Sequence, residues 1–126
     1  MTTYVYDHIH LRSRDPMATA QYFKKMFNAE ILESIQSDGR PRIDIDINGL
    51  AIFIAKADDT VPEGPEEPYL GLDHFGFQVE NLAVAAAELK EKGAELSMEP
   101  RDLRPGLKIA FVRAPGGIRI ELLERS

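Results

Sequence analysis

The sequence repeats itself once, and this repeat constrains the possible folds more than any other feature. The segment that begins at Asp7-His8 recurs later as Asp73-His74. Asp15, which follows the first segment, is matched by Asn81, which follows the second. Two further matches occur in the same order: Ala29-Glu30 with Ala94-Glu95, and the segment 49–54 with the segment 117–122. Because chance similarity does not keep four matches in order, we expect two halves with the same architecture.

The first half has the residue pattern of a β-α-β-β-β unit. The apolar, β-branched run 5–11 is typical of a strand, and Asp15 with Pro16 is typical of a helix start. A second strand is expected near 30–37. Residues 42–48 alternate between isoleucine and charged side chains, which predicts a strand with one buried face. Asn48-Gly49 is a strong signal for a two-residue hairpin turn.

The second half follows the same pattern. A strand is expected over 71–79, then a helix that begins after Asn81 and ends at Gly93. Strands are expected near 95–98, 108–112 and 118–123. Arg101 and Arg104 lie next to Pro100 and Pro105, and this stretch is expected to be an exposed loop.

The two halves are expected to form one domain that spans residues 1–126. Module 1 covers about 4–57, a linker rich in proline and glutamate covers about 58–69, and module 2 covers about 70–125. Neither module is long enough to bury a comfortable core alone, so the two should pack together. The predicted fold class is α+β: two β-α-β-β-β modules that form a cupped, mostly antiparallel sheet with the helices on its outer face.

Composition excludes several classes of protein. Lys and Arg total 15 and Asp and Glu total 21, so the net charge of −6 argues against a nucleic-acid partner. The absence of cysteine excludes disulfides, thiolate zinc sites and cysteine nucleophiles. No apolar run approaches the roughly 20 residues that span a bilayer, and the N-terminus lacks a signal-peptide pattern. We therefore expect a soluble, cytoplasmic protein with no membrane partner.

The double β-α-β-β-β pattern resembles the vicinal oxygen chelate superfamily, which includes glyoxalase I, extradiol dioxygenases, methylmalonyl-CoA epimerase and bleomycin-resistance proteins. The resemblance is carried by the two Asp-His segments and by the closing segment 111–124 around Ile120-Glu121-Leu122. It implies a divalent metal ion held by His8, His74 and Glu121. At the family's fourth ligand position, the repeat places Phe53, which cannot bind a metal.

A set of two histidines and one carboxylate resembles the facial triad of Fe(II) oxygenases. The resemblance therefore implies an extradiol-type dioxygenase, with Fe(II) as the favoured ion and a small substrate that binds through two adjacent oxygens. A glyoxalase- or epimerase-like lyase or isomerase with Zn, Ni, Co or Mn is the first alternative. A metal-free drug-binding resistance protein is the second.

Four further side chains are candidates for catalysis or substrate binding. His10 shares a strand face with His8, so it could act as an acid or base, position the substrate or serve as an alternative metal ligand. Phe53, Gln78 and Arg12 could contact the substrate. Three of them have an ordinary alternative: a hydrogen-bonded cavity histidine for His10, core packing for Phe53, and a surface position for Arg12.

The metal ligands also have ordinary alternatives. His8 and His74 could be half-buried strand histidines, and Glu121 could be held by a salt bridge. A buried carboxylate requires a cation or hydrogen-bond donors in either case. The resemblance further implies a homodimer, and it leaves open whether one chain or two copies complete the site.

Overall fold

Eight strands and two α-helices follow each other in the order that the repeat predicts. The computed structural model describes residues 1–126. The first half contains β1 (His8–Ser13), α1 (Pro16–Phe27), β2 (Glu30–Ile35), β3 (Pro41–Ile47) and β4 (Leu50–Lys56). The second half contains β5 (Phe75–Gln78), α2 (Leu82–Glu91), β6 (Glu95–Arg104), β7 (Leu107–Arg113) and β8 (Arg119–Arg125). These halves are two compact units, Met1–Pro62 and Glu63–Ser126, called the first and the second unit below.

Each unit contains one four-stranded sheet with the same topology. The strand order is β1-β4-β3-β2 in the first unit and β5-β8-β7-β6 in the second. In both sheets the first strand pairs in parallel with the last, and the other two pairings are antiparallel. The α+β class and the repeated β-α-β-β-β pattern are confirmed.

Each helix starts where its capping residue predicts. The Asp15 side chain accepts a hydrogen bond from the Ala18 N–H at 3.1 Å, and the Asn81 side chain accepts one from Val84 at 3.1 Å. Such caps satisfy N–H groups that have no partner within the helix. Neither helix is long and apolar enough to cross a membrane.

The helix of the first unit packs against one face of its sheet. Ala20 and Phe23 of α1 are fully buried. The isoleucines of β3 (Ile43, Ile45 and Ile47) are buried too, whereas the aspartates between them are partly exposed. The period-2 pattern therefore separates the core face from a face that carries the polar residues of β1 and β3 together with Phe53 of β4.

Two strands begin later than their composition suggests. β1 starts at His8 instead of Val5, and the side chains at 4–6 are exposed. β1 pairs with β4, and His8 is already opposite Ala51, one residue after the start of β4. Residues 4–6 would lie opposite residues that precede β4, so they have no strand to pair with. In the same way β5 starts at Phe75, opposite Ile120 in β8, instead of at Gly71.

The stretch around Arg101 and Arg104 is not a loop. β6 continues to Arg104, and Arg101 is paired with Ile109 of β7. Register shifts along this pairing accommodate Pro100, and the turn is made at Gly106, whose φ is 81°. A proline at a bulge does not interrupt an edge strand, which is why the sequence pattern was misleading here.

Candidate metal-binding residues

The second unit brings His74 and Glu121 together. His74 immediately precedes β5, and Glu121 lies in β8 opposite Gly76. The distance between His74 Nε2 and Glu121 Oε1 is 3.8 Å. Both side chains flank Phe111 of β7: its ring lies 4.9 Å from the His74 ring in an edge-to-face arrangement, and it is opposite Glu121 in the sheet register.

Asp73 forms a hydrogen bond with Nδ1 of the His74 ring. The distance between His74 Nδ1 and Asp73 Oδ2 is 2.7 Å, so Nδ1–H donates to the carboxylate. This hydrogen bond, with a further contribution from the Arg119 charge, lowers the pKa of Asp73 although partial burial opposes the shift. In the neutral tautomer with the proton on Nδ1, the lone pair of His74 is on Nε2, on the side of Glu121.

The donor atoms fit a divalent cation. Glu121 is 17% exposed, and no donor of the protein forms a hydrogen bond with its carboxylate. Its partner His74 lies beyond hydrogen-bond distance. Because metal–ligand distances to nitrogen and oxygen are about 2.0–2.2 Å, one ion can contact two donor atoms that are 3.8 Å apart. A carboxylate in this position needs a cation, and a histidine held through Nδ1 is a typical metal ligand.

The first unit has a second Asp-His pair, but its neighbours differ. His8 Nδ1 lies 2.6 Å from Asp7 Oδ2. The His8 ring stacks on Phe53, with ring centroids 4.1 Å apart. The Arg42 guanidinium lies 4.7 Å from the centre of the same phenylalanine ring, and its Nε donates to Asp44 at 2.7 Å. An aromatic and cationic cluster therefore occupies the place that a carboxylate has in the second unit.

The remaining candidates lie on β1, which carries His8, and on β5, which directly follows His74. His10 of β1 is opposite Phe53, with ring centroids 6.4 Å apart, and is exposed. Arg12 continues the same face and is also exposed. Gln78 is the last residue of β5, opposite Leu123, and is exposed. The structure thus groups His8, His10 and Phe53 in the first unit, and His74 with Glu121 in the second.

Within each unit, no three His, Asp or Glu side chains form a group that could hold a metal ion by itself. His8 belongs to the first unit, whereas His74 and Glu121 belong to the second. The three-ligand set therefore stays a prediction, as do the roles of the surrounding residues.

Sequence reasoning missed the residues that support the histidines. Asp7 and Asp73 were recognised only as part of a repeated motif, yet both accept a hydrogen bond from the adjacent imidazole. The repetition of the Asp-His pair was the available signal. Arg119, which donates to Asp73, could not be found in this way, since the two residues are far apart in sequence.

Comparison with known proteins identifies the family. The model of the Glyoxalase/Bleomycin resistance protein/Dioxygenase superfamily matches residues 5–122. The chain belongs to this superfamily. Its members include lyases and dioxygenases, and the superfamily generally binds a divalent metal ion.

Two proteins are also similar to this superfamily member in sequence. A glyoxalase family protein from Enterococcus faecalis is 30% identical, with 93% of this chain and 94% of that chain covered and a TM-score of 0.73. A protein of Arabidopsis thaliana named "Probable lactoylglutathione lyase, chloroplastic" is 41% identical over 56 residues. That segment is 44% of this chain and spans 16% of the relative's length.

One similar structure contains a metal ion. A variant of the fosfomycin resistance protein FosX from Listeria monocytogenes was solved with Mn(II) and 1S,2S-dihydroxypropylphosphonic acid. It is 21% identical, covers 99% of this chain and 93% of that chain, and has a TM-score of 0.73. At this level of identity the similarity shows the shared superfamily fold.

Proposed function

We propose that this chain is an enzyme that holds one divalent metal ion with His8, His74 and Glu121. Its substrate would be a small molecule that binds through two adjacent oxygens. The observation that carries the proposal is the Glu121 carboxylate, which has no hydrogen-bond donor and lies 3.8 Å from Nε2 of His74. The superfamily assignment supports the ligand set.

The ligand chemistry suits a divalent ion from the first transition series. Two neutral imidazoles and one carboxylate are preferred donors of Fe(II), Zn, Ni, Co and Mn. When bound, such an ion would act as a Lewis acid on a chelating substrate oxygen and would orient the reactants. Glu121 would compensate part of the ion's charge, and Asp73 would keep His74 in the tautomer that can bind it.

Residues of the first sheet would shape the substrate site. Phe53 would provide an apolar wall, and His10 opposite it would accept or return a proton. Arg12 on the same strand face and Gln78 of β5 would donate hydrogen bonds to substrate oxygens. The site would be completed by His8 from the same chain or from the second copy in a homodimer.

The reaction class that we propose first is extradiol-type oxygenation with Fe(II). Its basis is Phe53: without a fourth protein ligand, three coordination positions remain for substrate oxygens and a further reactant. The second candidate is a lyase or isomerase with Zn, Ni, Co or Mn, with His10 as the base. The similarity over 56 residues to the Arabidopsis protein favours this candidate.

The test compares reactions that differ in their need for dioxygen. The metal-depleted protein would be reconstituted with each ion and given catechols in air, or 2-oxoaldehydes with glutathione without oxygen. We expect metal-dependent turnover that is lost in Glu121→Gln and kept in Glu80→Gln, a matched change at an exposed carboxylate. Ligand binding without any metal, unchanged in His74→Ala, would instead indicate a drug-binding protein.

A further inference from the structure

The two Asp-His pairs differ in how their aspartates are held. The Asp7 side chain is 84% exposed, and His8 is its hydrogen-bond partner. The Asp73 side chain is 42% exposed and accepts two hydrogen bonds on the same oxygen. One comes from His74 Nδ1 and the other from Nη1 of Arg119. Asp73 is therefore anchored to β8, whereas Asp7 has no comparable anchor.

The sheet register explains why only one pair is anchored. In the first unit, His8 is opposite Ala51 of β4. The corresponding residue of β8 in the second unit is Arg119, one position before the Phe75–Ile120 pair. An alanine methyl group cannot reach an aspartate carboxylate, but an arginine side chain can. Both halves therefore contain the Asp-His pair, but only the second contains a cationic side chain, Arg119, that supports the aspartate.

Arg119 is itself held in a defined position. Its guanidinium lies 4.5 Å from the centre of the Phe111 ring, and its Nε lies 3.9 Å from Glu67 Oε1. The same oxygen of Glu67 is 2.5 Å from Nη2 of Arg113, and Nη1 of Arg113 donates a hydrogen bond to the Gly117 carbonyl. The stacking on Phe111 and the ion pairs with Glu67 and Asp73 restrict the Arg119 side chain, which is only 23% exposed.

We propose that Arg119 is a positioning residue for His74 that acts through Asp73. Its hydrogen bond fixes the Asp73 carboxylate, the carboxylate holds the proton on Nδ1 of His74, and Nε2 stays unprotonated on the side of Glu121. The second unit thereby presents a pre-formed pair of metal donors, and His8 is the less constrained third ligand. The role in metal binding rests on the proposed function, whereas the orientation of His74 does not.

Arg119 differs from the metal ligands in its role. Arg119 would not contact the ion or the substrate, and its loss would not remove a donor atom. Its loss would instead release Asp73 and allow the His74 ring to rotate or to change tautomer. Removal of groups that orient a metal ligand typically weakens metal affinity about 10–100-fold, and we expect the lower end of this range.

The experiment uses three arginine variants of the full chain. Arg119→Met keeps an apolar stem over Phe111 and removes the guanidinium, and Arg119→Lys restores a cation. Arg104→Ala, at the exposed end of β6, is the charge-matched control. Nitrogen-15 NMR of the metal-free protein would give the tautomer of His74. The chain has three histidines, and variants in which one histidine at a time is replaced would assign the signals. Titration with Mn²⁺ or Co²⁺ would give the affinity.

We expect wild type and Arg104→Ala to show one His74 tautomer, protonated on Nδ1. Arg119→Met should show a mixture of tautomers and about tenfold weaker metal binding. Arg119→Lys should recover most of both, and its recovery also controls for a folding defect, which circular dichroism would detect.

Two results would separate this inference from the proposed function. If Arg119→Met keeps the single tautomer and an affinity within about twofold of wild type, the positioning role is wrong while the metal site stands. If wild type binds no ion, the proposed function fails. The NMR result on the metal-free protein then decides the role of Arg119 without reference to a metal.

Discussion

Phe53 and Glu121 occupy equivalent positions in the two sheets of this protein. Phe53 lies in β4 opposite His10, and Glu121 lies in β8 opposite Gly76, each on the strand that pairs in parallel with the first strand of its sheet. In the first unit the Phe53 ring stacks on His8, and in the second unit the Glu121 carboxylate lies close to His74. The same backbone position thus supplies a hydrophobic contact in one half and a candidate ligand in the other.

A carboxylate at position 53 should strengthen metal binding. In Phe53→Glu the new side chain would start from the place that corresponds to Glu121 and would add a fourth donor beside His8. We expect the affinity for Mn²⁺ or Co²⁺ to increase by about tenfold or more, which corresponds to about 1.4 kcal/mol. Isothermal titration of the metal-depleted protein would measure it.

Phe53→Leu is the matched control, because it also removes the ring that stacks on His8 but adds no donor. Equal affinities of the glutamate and leucine variants would show that position 53 does not face the ion, and the proposed ligand set would have to be revised.

The two helix caps should contribute similarly to stability. Asp15 and Asn81 each accept a hydrogen bond from the third residue beyond, at 3.1 Å. Replacement of either residue by alanine should lower the free energy of unfolding by about 1 kcal/mol, because an N–H group of the first turn loses its partner. Urea denaturation would measure the change. Asp15→Ser should retain most of the stability, and an alanine variant as stable as wild type would contradict the assigned role.

The ion pair between Glu67 and Arg113 should make stability depend on pH. The hydrogen bond from Arg113, with a smaller contribution from Arg119, lowers the pKa of Glu67 below its ordinary value of 4.5. A carboxyl group with a lowered pKa stabilises the fold above its unfolded-state pKa, and this contribution disappears as the pH falls through the folded-state value. Glu67→Gln should therefore lower the melting temperature near neutral pH.

The difference in melting temperature between wild type and Glu67→Gln should shrink as the pH is lowered from about 7 to about 3. Glu66→Gln, a change at the neighbouring exposed carboxylate, should have little effect at any pH. A difference that stays constant over this range would show that the charge of Glu67 is not what stabilises the fold.

The sequence predicted the features that depend on local patterns. The repeat, the caps at Asp15 and Asn81 and the turn at Asn48-Gly49 all follow from residue type and spacing, and the structure confirms each of them. The equivalence of Phe53 with Glu121, derived from the repeat, agrees with the strand register.

Features that depend on distant partners were not predictable. The start of β1 near His8 is set by where β4 begins, and residues 4–6 have strand-like composition but no strand opposite them. The hydrogen bond between Arg119 and Asp73 joins residues that are far apart in sequence, and no local pattern predicts it. The site could therefore be predicted as far as its candidate ligands, but not as far as the groups that orient them.

Metal content tests the central claim most directly. The protein would be purified anaerobically without chelators and analysed by elemental mass spectrometry, beside His74→Ala, Glu121→Ala and the control Glu80→Gln. The account predicts about one divalent ion per chain in wild type and control, and its loss in the other two variants. Iron would favour the oxygenase, and zinc, nickel, cobalt or manganese the lyase or isomerase. No bound ion after reconstitution with each metal, or an ion retained in both variants, would contradict it.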